Sequence, residues 1–520
     1  MSDSKNFSQS DDTRKLETTR RDFLEQSAVA AMAGLALARQ AVAATPLAAQ
    51  PAQYGGASRR AAASGTIDLV NLTIVEAAEK IRRKQLSPVE LTQATLARIE
   101  ALNPKLGAII TVSAEQAMDA ARTAEREIQA GRYKGPLHGI PFVAKDTHYS
   151  KGIRTTAASP ILKDFVPDFD ATNITRLKNA GAILAGKANL PEFSFGGRTP
   201  GCQNPWDLSR NAGGSSGGSG SALGASLVLG ALGGDTSGSI RNPASTNGCV
   251  GLKPTFGLVS RYGVVPISWT LDHLGPMAKT VEDTALLLNA LAGYDAQDHF
   301  SANMRYPDFQ RALRRSMKGV RVAYFAESEI SGFHPDTKKA FFDSVKILEG
   351  LGARVQAITF SERMKAAGAS HGIIRISEAS AYHREFLRTR ASEYKTVDSD
   401  VRTTVEAGSL LTVSQYMNAQ RVRTIFMREM ARSFDPFDVM LSPTMPAPAD
   451  VEVQVPETFR NWWNLCGYPA VSLPCGFSTN PANLPIGLLV SAKPFQDATA
   501  MAVAFAYEQA TDWHKRHPNL

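Results

Sequence analysis

The chain has 520 residues and a formal net charge of +8; 43% of it is hydrophobic and 20% charged, the composition of an ordinary globular protein. A chain this long buries a large core, so its four cysteines (Cys202, Cys249, Cys466, Cys475) are not needed as staples. The positive excess is thin and no Lys/Arg run carries interleaved aromatics, so a nucleic-acid partner is not expected.

The first element in chain order is an export signal over residues 1–44. Arg20 and Arg21 precede Phe23 and Leu24, a mild Ala/Leu/Val run reaches Ala38, and small residues follow at Ala41, Ala43 and Ala44. That order of basic, apolar and small residues is the pattern of an exported precursor, and the paired arginines resemble the twin-arginine type. The export machinery is then a transient partner, and the mature chain is periplasmic or secreted. The segment holds six basic and six acidic residues, so its removal leaves the net charge at +8. Its apolar run is too short to span a bilayer and no other span is evident, so no stable membrane anchor is expected. Residues 45–64, rich in Ala, Gln and Gly, read as a linker, and residues 65–520 as the folded domain. An oxidising destination permits a disulfide, free buried thiols fit equally well, and the spacing does not decide between them.

Two helices open the domain with clear start signals. Thr73 with Glu76 forms one capping box; Ser87 with Glu90 forms a second, with Pro88 at the first helical position. A third helix is predicted from Ser113 to Ala130. Buried strands follow at Ile140–Ala144, in "AGAILAGK" and in "ASLVLGALGGDT", and their alternation with helical segments predicts a largely parallel sheet. Residues 295–438 change to longer helices with charged faces and few strand-like runs. There "LTVSQYMNAQRVRTIFMREMARSF" places Tyr416, Ala419, Val422, Phe426 and Met430 near one face.

Between Asn211 and Pro243 lies "NAGGSSGGSGSALGASLVLGALGGDTSGSIRNP". Its composition is that of a flexible linker. Against this, it begins and ends in Gly/Ser turns joined by helix-like and strand-like stretches, an arrangement able to bring Ser215 and Ser239 to one sheet edge. Two short motifs mislead. Gly213–Gly217 satisfies G-x-S-x-G, but "NPWDLSRNA" before it looks loop-like and no supporting histidine follows. Gly181–Lys187 satisfies G-x-x-x-x-G-K, but Ala188 replaces the magnesium-binding Ser/Thr and the segment reads as a strand.

A set of longer motifs, in order, resembles the amidase signature family: "LHGIPFVAKD" (137–146), "GIRTTAASP" (152–160), "GAILAGKANLPEF" (181–193), "NPWDLSRNAGGSSGGSGSALGA" (204–225), "GGDTSGSIRNPASTNGCVGLKPTFGLVSRYG" (233–263), "LDHLGPMAKTVEDTALLL" (271–288), "SPTMPAPA" (442–449) and "NLCGYPAVSLPCGF" (464–477). The resemblance implies an α/β amidase signature fold: a large mixed β-sheet flanked by helices, a single catalytic domain, with residues 295–438 as an inserted helical section shaping the substrate cleft. It also implies a Lys145–Ser215–Ser239 triad, with Ser239 as nucleophile and Ser215 behind a cis Gly214–Ser215 bond. The proton would pass to Ser215 and on to Lys145, and an acyl-enzyme would form.

Lysine acts as a base only when neutral, so its pKa must fall from about 10.4 toward 7–8. Burial beside Ile140, Phe142 and Val143 would supply that shift; Asp146 would oppose it unless it points away, as adjacent strand residues do. Backbone N–H groups of Thr236, Ser237, Gly238 and Ser239 are the implied oxyanion hole, with Ser237 standing where the family usually has glycine. Asp235, Arg241 and Gly214 are implied to brace the loop or to lie beside the substrate, the bracing role being favoured for Asp235 and Arg241. His138, Asn189, Glu192 and His273 also fall on motif positions and are expected to pack locally.

The expected function is therefore an exported amidase that hydrolyses a small-molecule carboxamide to acid plus ammonia or amine, with no metal and no cofactor. Two alternatives stand: the glutamine-hydrolysing A-type component of a tRNA-dependent amidotransferase, and a catalytically silent periplasmic amide-binding protein. The sequence leaves the substrate and the oligomeric state, including a homodimer, open.

Overall fold

The two predicted capping boxes start the fold. Thr73 and Glu76 exchange side-chain-to-backbone bonds (3.1 and 2.9 Å) at the head of α1 (Ile74–Arg82), and Ser87 and Glu90 do so (3.4 and 3.1 Å) at α2 (Pro88–Leu106). The computed structural model describes residues 67–453 and 458–520; the export segment and linker read at 1–44 and 45–64 lie outside them. The third predicted helix is α3 (Ala114–Gln129).

The strands are β1 (Ile109–Val112), β2 (Pro141–Lys145), β3 (Ile183–Ala188), β4 (Gln203–Asn204), β5 (Asp207–Asn211), β6 (Gly230–Asp235), β7 (Val250–Lys253), β8 (His273–Ala278), β9 (Arg321–Phe325), β10 (Arg354–Ile358), β11 (Val439–Pro443), β12 (Ala470–Thr479) and β13 (Ala482–Ala492). Eleven of them form one sheet in the order β1-β3-β2-β6-β8-β7-β12-β13-β11-β9-β10, and β4 pairs with β5 in a separate ribbon. The sheet is mixed. β3, β2 and β6 run parallel, as do β11, β9 and β10, while the strands between β6 and β11 pair antiparallel.

Residues 295–438 are less purely helical than their sequence suggests. They contribute β9 and β10, which extend the sheet to its edge, along with the long helices α6 (Ser370–Arg390) and α7 (Val413–Phe434). On α7, Ala419, Phe426, Met430 and Phe434 are buried; Val422, expected on that face, is exposed. Among the described residues no helix is long and apolar enough to cross a membrane. All four cysteines are buried as free thiols.

The Gly/Ser stretch is core, not linker. Gly217–Leu223 are buried throughout α4 (Gly217–Gly224), whose hydroxyls turn inward: Ser219 Oγ donates to Leu232 O (2.9 Å) and Ser221 Oγ to Gln203 O (2.8 Å). Small side chains let this helix lie directly on neighbouring backbone. A Cβ added at Gly218 would come within 2.3 Å of Asn189 N and 2.4 Å of Ala108 O.

Candidate active site

Three chain segments meet where the parallel strands β2 and β6 end, Phe142–Ala144 lying beside Gly230–Leu232. In open α/β sheets the carboxyl ends of such strands form the usual ligand crevice. Lys145 is the last residue of β2. Ser215 follows a cis Gly214–Ser215 bond just before α4, and Ser239 lies in the turn between β6 and α5 (Arg241–Asn247).

The expected groups come together. Lys145 Nζ lies 2.7 Å from Ser215 Oγ, both fully buried. The two turns are joined directly by the Ser216 N–H, which donates to Ser239 O (3.1 Å). Ser216 adds a second tie, because its Oγ lies 3.2 Å from both the N and the O of Gly234 near the end of β6. Burial pushes the Lys145 amine down to about 7, against the opposing pull of Asp272 and Asp235. Asp146 is not among the charges acting on it. Its carboxylate faces Lys187 Nζ (3.2 Å) and accepts from Thr156 N (2.8 Å) and Thr156 Oγ1 (2.6 Å).

The two misleading motifs resolve physically. Lys187 ends neither a phosphate loop nor a helix; it sits inside β3, buried and donating to His148 O (2.7 Å) and Thr155 Oγ1 (2.6 Å). The segment before Ser215 is more ordered than its sequence suggests, because β5 precedes it. That strand belongs to the small ribbon, and the base in contact with Ser215 is Lys145, not a histidine.

Asp235 is the hub of the Ser239 turn. It accepts from Gly238 N (2.8 Å) and Ile240 N (3.1 Å), and from Arg241 Nε (3.0 Å) and Nη2 (2.9 Å). Arg241 Nη2 also donates to Asn464 Oδ1 (2.7 Å), and Asn464 Nδ2 returns to Asp235 O and Oδ1 (2.8 Å each). Burial pushes the Asp235 carboxyl up, but the charge and hydrogen bonds of Arg241 and the Asn464 amide outweigh it and hold it well below the usual carboxylate range. Every Asp235 and Arg241 bond is internal, the geometry of a brace.

This arrangement corrects one detail. The Gly238 N–H, expected in the oxyanion hole, is directed at Asp235, leaving Thr236, Ser237 and Ser239 as the candidate donors. Of the remaining motif residues, His138 pairs with Glu127, Asn189 donates to Gly107 O and Pro200 O, Glu192 accepts from Ser159 and Ser399, and His273 lies against Leu271 O. Each packs locally, as expected.

Sequence reasoning missed three neighbours of the Ser239 turn. Asp272 accepts from Thr236 Oγ1 (2.6 Å) and from the N–H groups of Ile267 and Ser268; Asn464 closes the Asp235 brace; His371 Nε2 lies 2.8 Å from Thr236 O. Asp272 and Asn464 stand inside recognised motifs, which was an available signal. His371 stands in the section with no motif, and nothing in the sequence marks it. A cavity of about 310 Å³ opens above Asp272 and Leu274, lined also by Tyr149, Trp269 and Tyr382.

The Amidase family profile matches residues 90–501. The A-type component of the glutamyl-tRNA(Gln) amidotransferase of Desulfatibacillum aliphaticivorans is 40% identical over 486 residues, covering 87% of this chain and all of that one. The solved structure of the same component from Thermotoga maritima is 34% identical with a TM-score of 0.71, covering 85% of this chain and 95% of that one. A peptide amidase solved with the inhibitor chymostatin is 29% identical with a TM-score of 0.78, covering 86% and 99%. These similarities correct the expected function. Over nearly the whole domain the chain resembles a protein named for glutamyl-tRNA, so neither the reading as a stand-alone amidase nor the exclusion of a nucleic-acid partner stands. The family profile spans most of the described domain, and on that ground the chain belongs to the amidase signature family of amide-hydrolysing enzymes.

Proposed function

We propose that this protein hydrolyses the side-chain carboxamide of glutamine, as the A-type component of an amidotransferase that passes the ammonia to an acyl group on a charged tRNA. The observation that carries the hydrolytic step is the 2.7 Å contact between a fully buried Lys145 Nζ and Ser215 Oγ, directly beside the Ser239 turn. The 40% identity to a protein named for glutamyl-tRNA(Gln) supports glutamine as the amide donor.

In this reading neutral Lys145 takes the Ser215 proton as Ser215 takes that of Ser239. The Ser239 Oγ bonds to the amide carbon, and the carbonyl oxygen becomes an oxyanion facing the N–H groups of Thr236, Ser237 and Ser239. Each such donor is worth about 10²–10³ in rate. The proton then returns through Ser215 to the leaving nitrogen, the C–N bond breaks, and ammonia departs from a glutamyl ester on Ser239. Water, deprotonated by the same relay, attacks that ester; glutamate leaves and Ser239 regains its proton.

The test is to supply glutamine to the purified chain, alone and with the other components of an amidotransferase and glutamyl-tRNA, and to measure glutamate, ammonia and Gln-tRNA. Glutamate from the wild type but not from Ser239→Ala is expected, with Gln-tRNA formed in the complete system. No glutamate under any condition overturns the reading. An exported chain meets no charged tRNA, so recovery of the protein outside the cytoplasm, trimmed near residue 44, overturns the tRNA half and leaves the hydrolytic half standing.

A further inference from the structure

Besides the bond of Thr236 Oγ1 to Asp272, the backbone of the Ser239 turn is held at three points. Asp235 takes the N–H groups of Gly238 and Ile240, and Ser216 N–H takes the carbonyl of Ser239. The third anchor comes from outside the catalytic segments: His371 Nε2, on the second residue of α6, lies 2.8 Å from Thr236 O and 3.4 Å from Ser237 Oγ. A carbonyl oxygen only accepts, so Nε2 carries the hydrogen and donates it. The ring is buried, which protects the bond from competing water.

That bond has a directional consequence. The Thr236–Ser237 peptide is not among the cis bonds of the chain, and in a trans peptide the C=O and N–H point to opposite sides. Fixing the Thr236 oxygen on His371 therefore turns the Ser237 N–H away from α6. The neighbouring Gly238 N–H is already committed to Asp235. The orientation of Ser237's amide, one of the three remaining oxyanion donors, is thus set by a histidine about 135 positions away.

We propose that His371 is a positioning residue of the amide-hydrolysing site, which aims the Ser237 N–H at the developing oxyanion by anchoring the Thr236 carbonyl. It deepens the function proposed above and rests on its assignment of Ser239 as nucleophile. The section at 295–438 then contributes to the chemistry itself, in addition to shaping the cleft. The side chain at Ser237, where glycine is usual, lies against the same ring, its Oγ 3.4 Å from Nε2.

The experiment compares His371→Gln, which keeps a side-chain N–H of similar reach, with His371→Met, which keeps bulk without a donor. Two readouts are used: glutamine hydrolysis by the assembled protein, and phosphonylation of Ser239 by a fluorophosphonate. In the second reaction Ser239 Oγ displaces fluoride, and the developing charge on the phosphoryl oxygen needs the same donors, but glutamine recognition plays no part. Phosphonylation is expected to slow roughly 10²-fold in His371→Met and less than tenfold in His371→Gln, the loss in glutamine turnover falling on kcat with KM within about twofold. Equal labelling rates in the two variants overturn the proposal. So does a His371→Met protein that fails to fold while His371→Gln folds, because the contact then serves stability instead. Wild type that labels normally but leaves glutamine intact sinks the glutamine reading and leaves the His371 comparison valid.

Discussion

Asp146 adjoins Lys145 in sequence yet pairs with Lys187, 3.2 Å away across the parallel β2–β3 junction. The alternation of the strand end turns the two neighbours apart, so the charge closest in sequence to the candidate base is neutralised by another lysine. Both partners are fully buried. Lys187→Met therefore has two expected effects. Leaving a buried carboxylate unpaired destabilises the fold by about 3–5 kcal/mol. It also exposes Lys145 to an uncompensated negative charge, which favours the protonated amine and moves the acid limb of the pH–activity profile upward. Denaturant unfolding and a pH–rate profile check the pair; a destabilised variant with an unmoved limb would show that Asp146 has no electrostatic reach to Lys145.

The Lys145 amine, pushed down by burial to about 7, predicts a rise in activity through pH 7 as the neutral form appears. Its stability effect has a definite sign. The folded pKa lies below the ordinary 10.5, so between pH 7 and 10.5 the unfolded chain holds the extra proton. Stability therefore rises with pH across that window, and the full penalty, about 5 kcal/mol, applies below pH 7. Lys145→Met removes this penalty and loses one buried hydrogen bond to Ser215, worth about 1–3 kcal/mol. The variant should be inactive, more stable than wild type at pH 7 by about 2 kcal/mol, and flatter in stability from pH 7 to 10. A destabilised Lys145→Met would mean that Lys145 is held charged.

Arg241 offers a separate test of the brace. Its planar fork meets Asp235 through two nitrogens while reaching Asn464 and the Arg460 carbonyl. Lysine keeps the charge but not the fork. Arg241→Lys should fold, lose at least tenfold in kcat as Asp235 releases the turn, and unfold at lower denaturant concentration. Unchanged kcat would assign the network to stability alone.

The legibility of this molecule divides by distance along the chain. Lys145, Ser215 and Ser239 were readable because each lies within a long contiguous motif, and α1 and α2 were readable because a capping box spans four residues. The strands of residues 295–438 were not. β10 is an edge strand whose residues are all exposed or half-buried, so it carries no apolar run, and β9 is short with an exposed first residue. β5 failed for a similar reason: its ribbon is stabilised by turn bonds of Asp207 and Asn204, which resemble loop chemistry in one dimension. His371 illustrates the limit most clearly. Its role depends on one carbonyl far away in sequence, and a lone histidine on a charged helix carries no pattern that could announce it.

The Gly/Ser stretch supplies the last prediction. Gly218 has an ordinary backbone conformation, so its requirement is space and not φ. A Cβ there would meet the Asn189 N at 2.3 Å and the Ala108 O at 2.4 Å, and both are backbone atoms that cannot swing aside. Gly197 provides the contrast, because a Cβ there meets nothing within 4 Å. Alanine at Gly197 should be nearly silent in stability and turnover. Alanine at Gly218 must push α4 off the β1 and β3 ends by a good fraction of an ångström, carrying Ser215, three residues upstream, away from Lys145. A displacement of about 1 Å in a catalytic group is enough to lower turnover on the order of 10²-fold. Thermal unfolding and kcat of the two variants measure the difference. Equal behaviour would mean that the close packing of α4 does not set the Lys145–Ser215 distance, and that the glycines serve only the path of the chain.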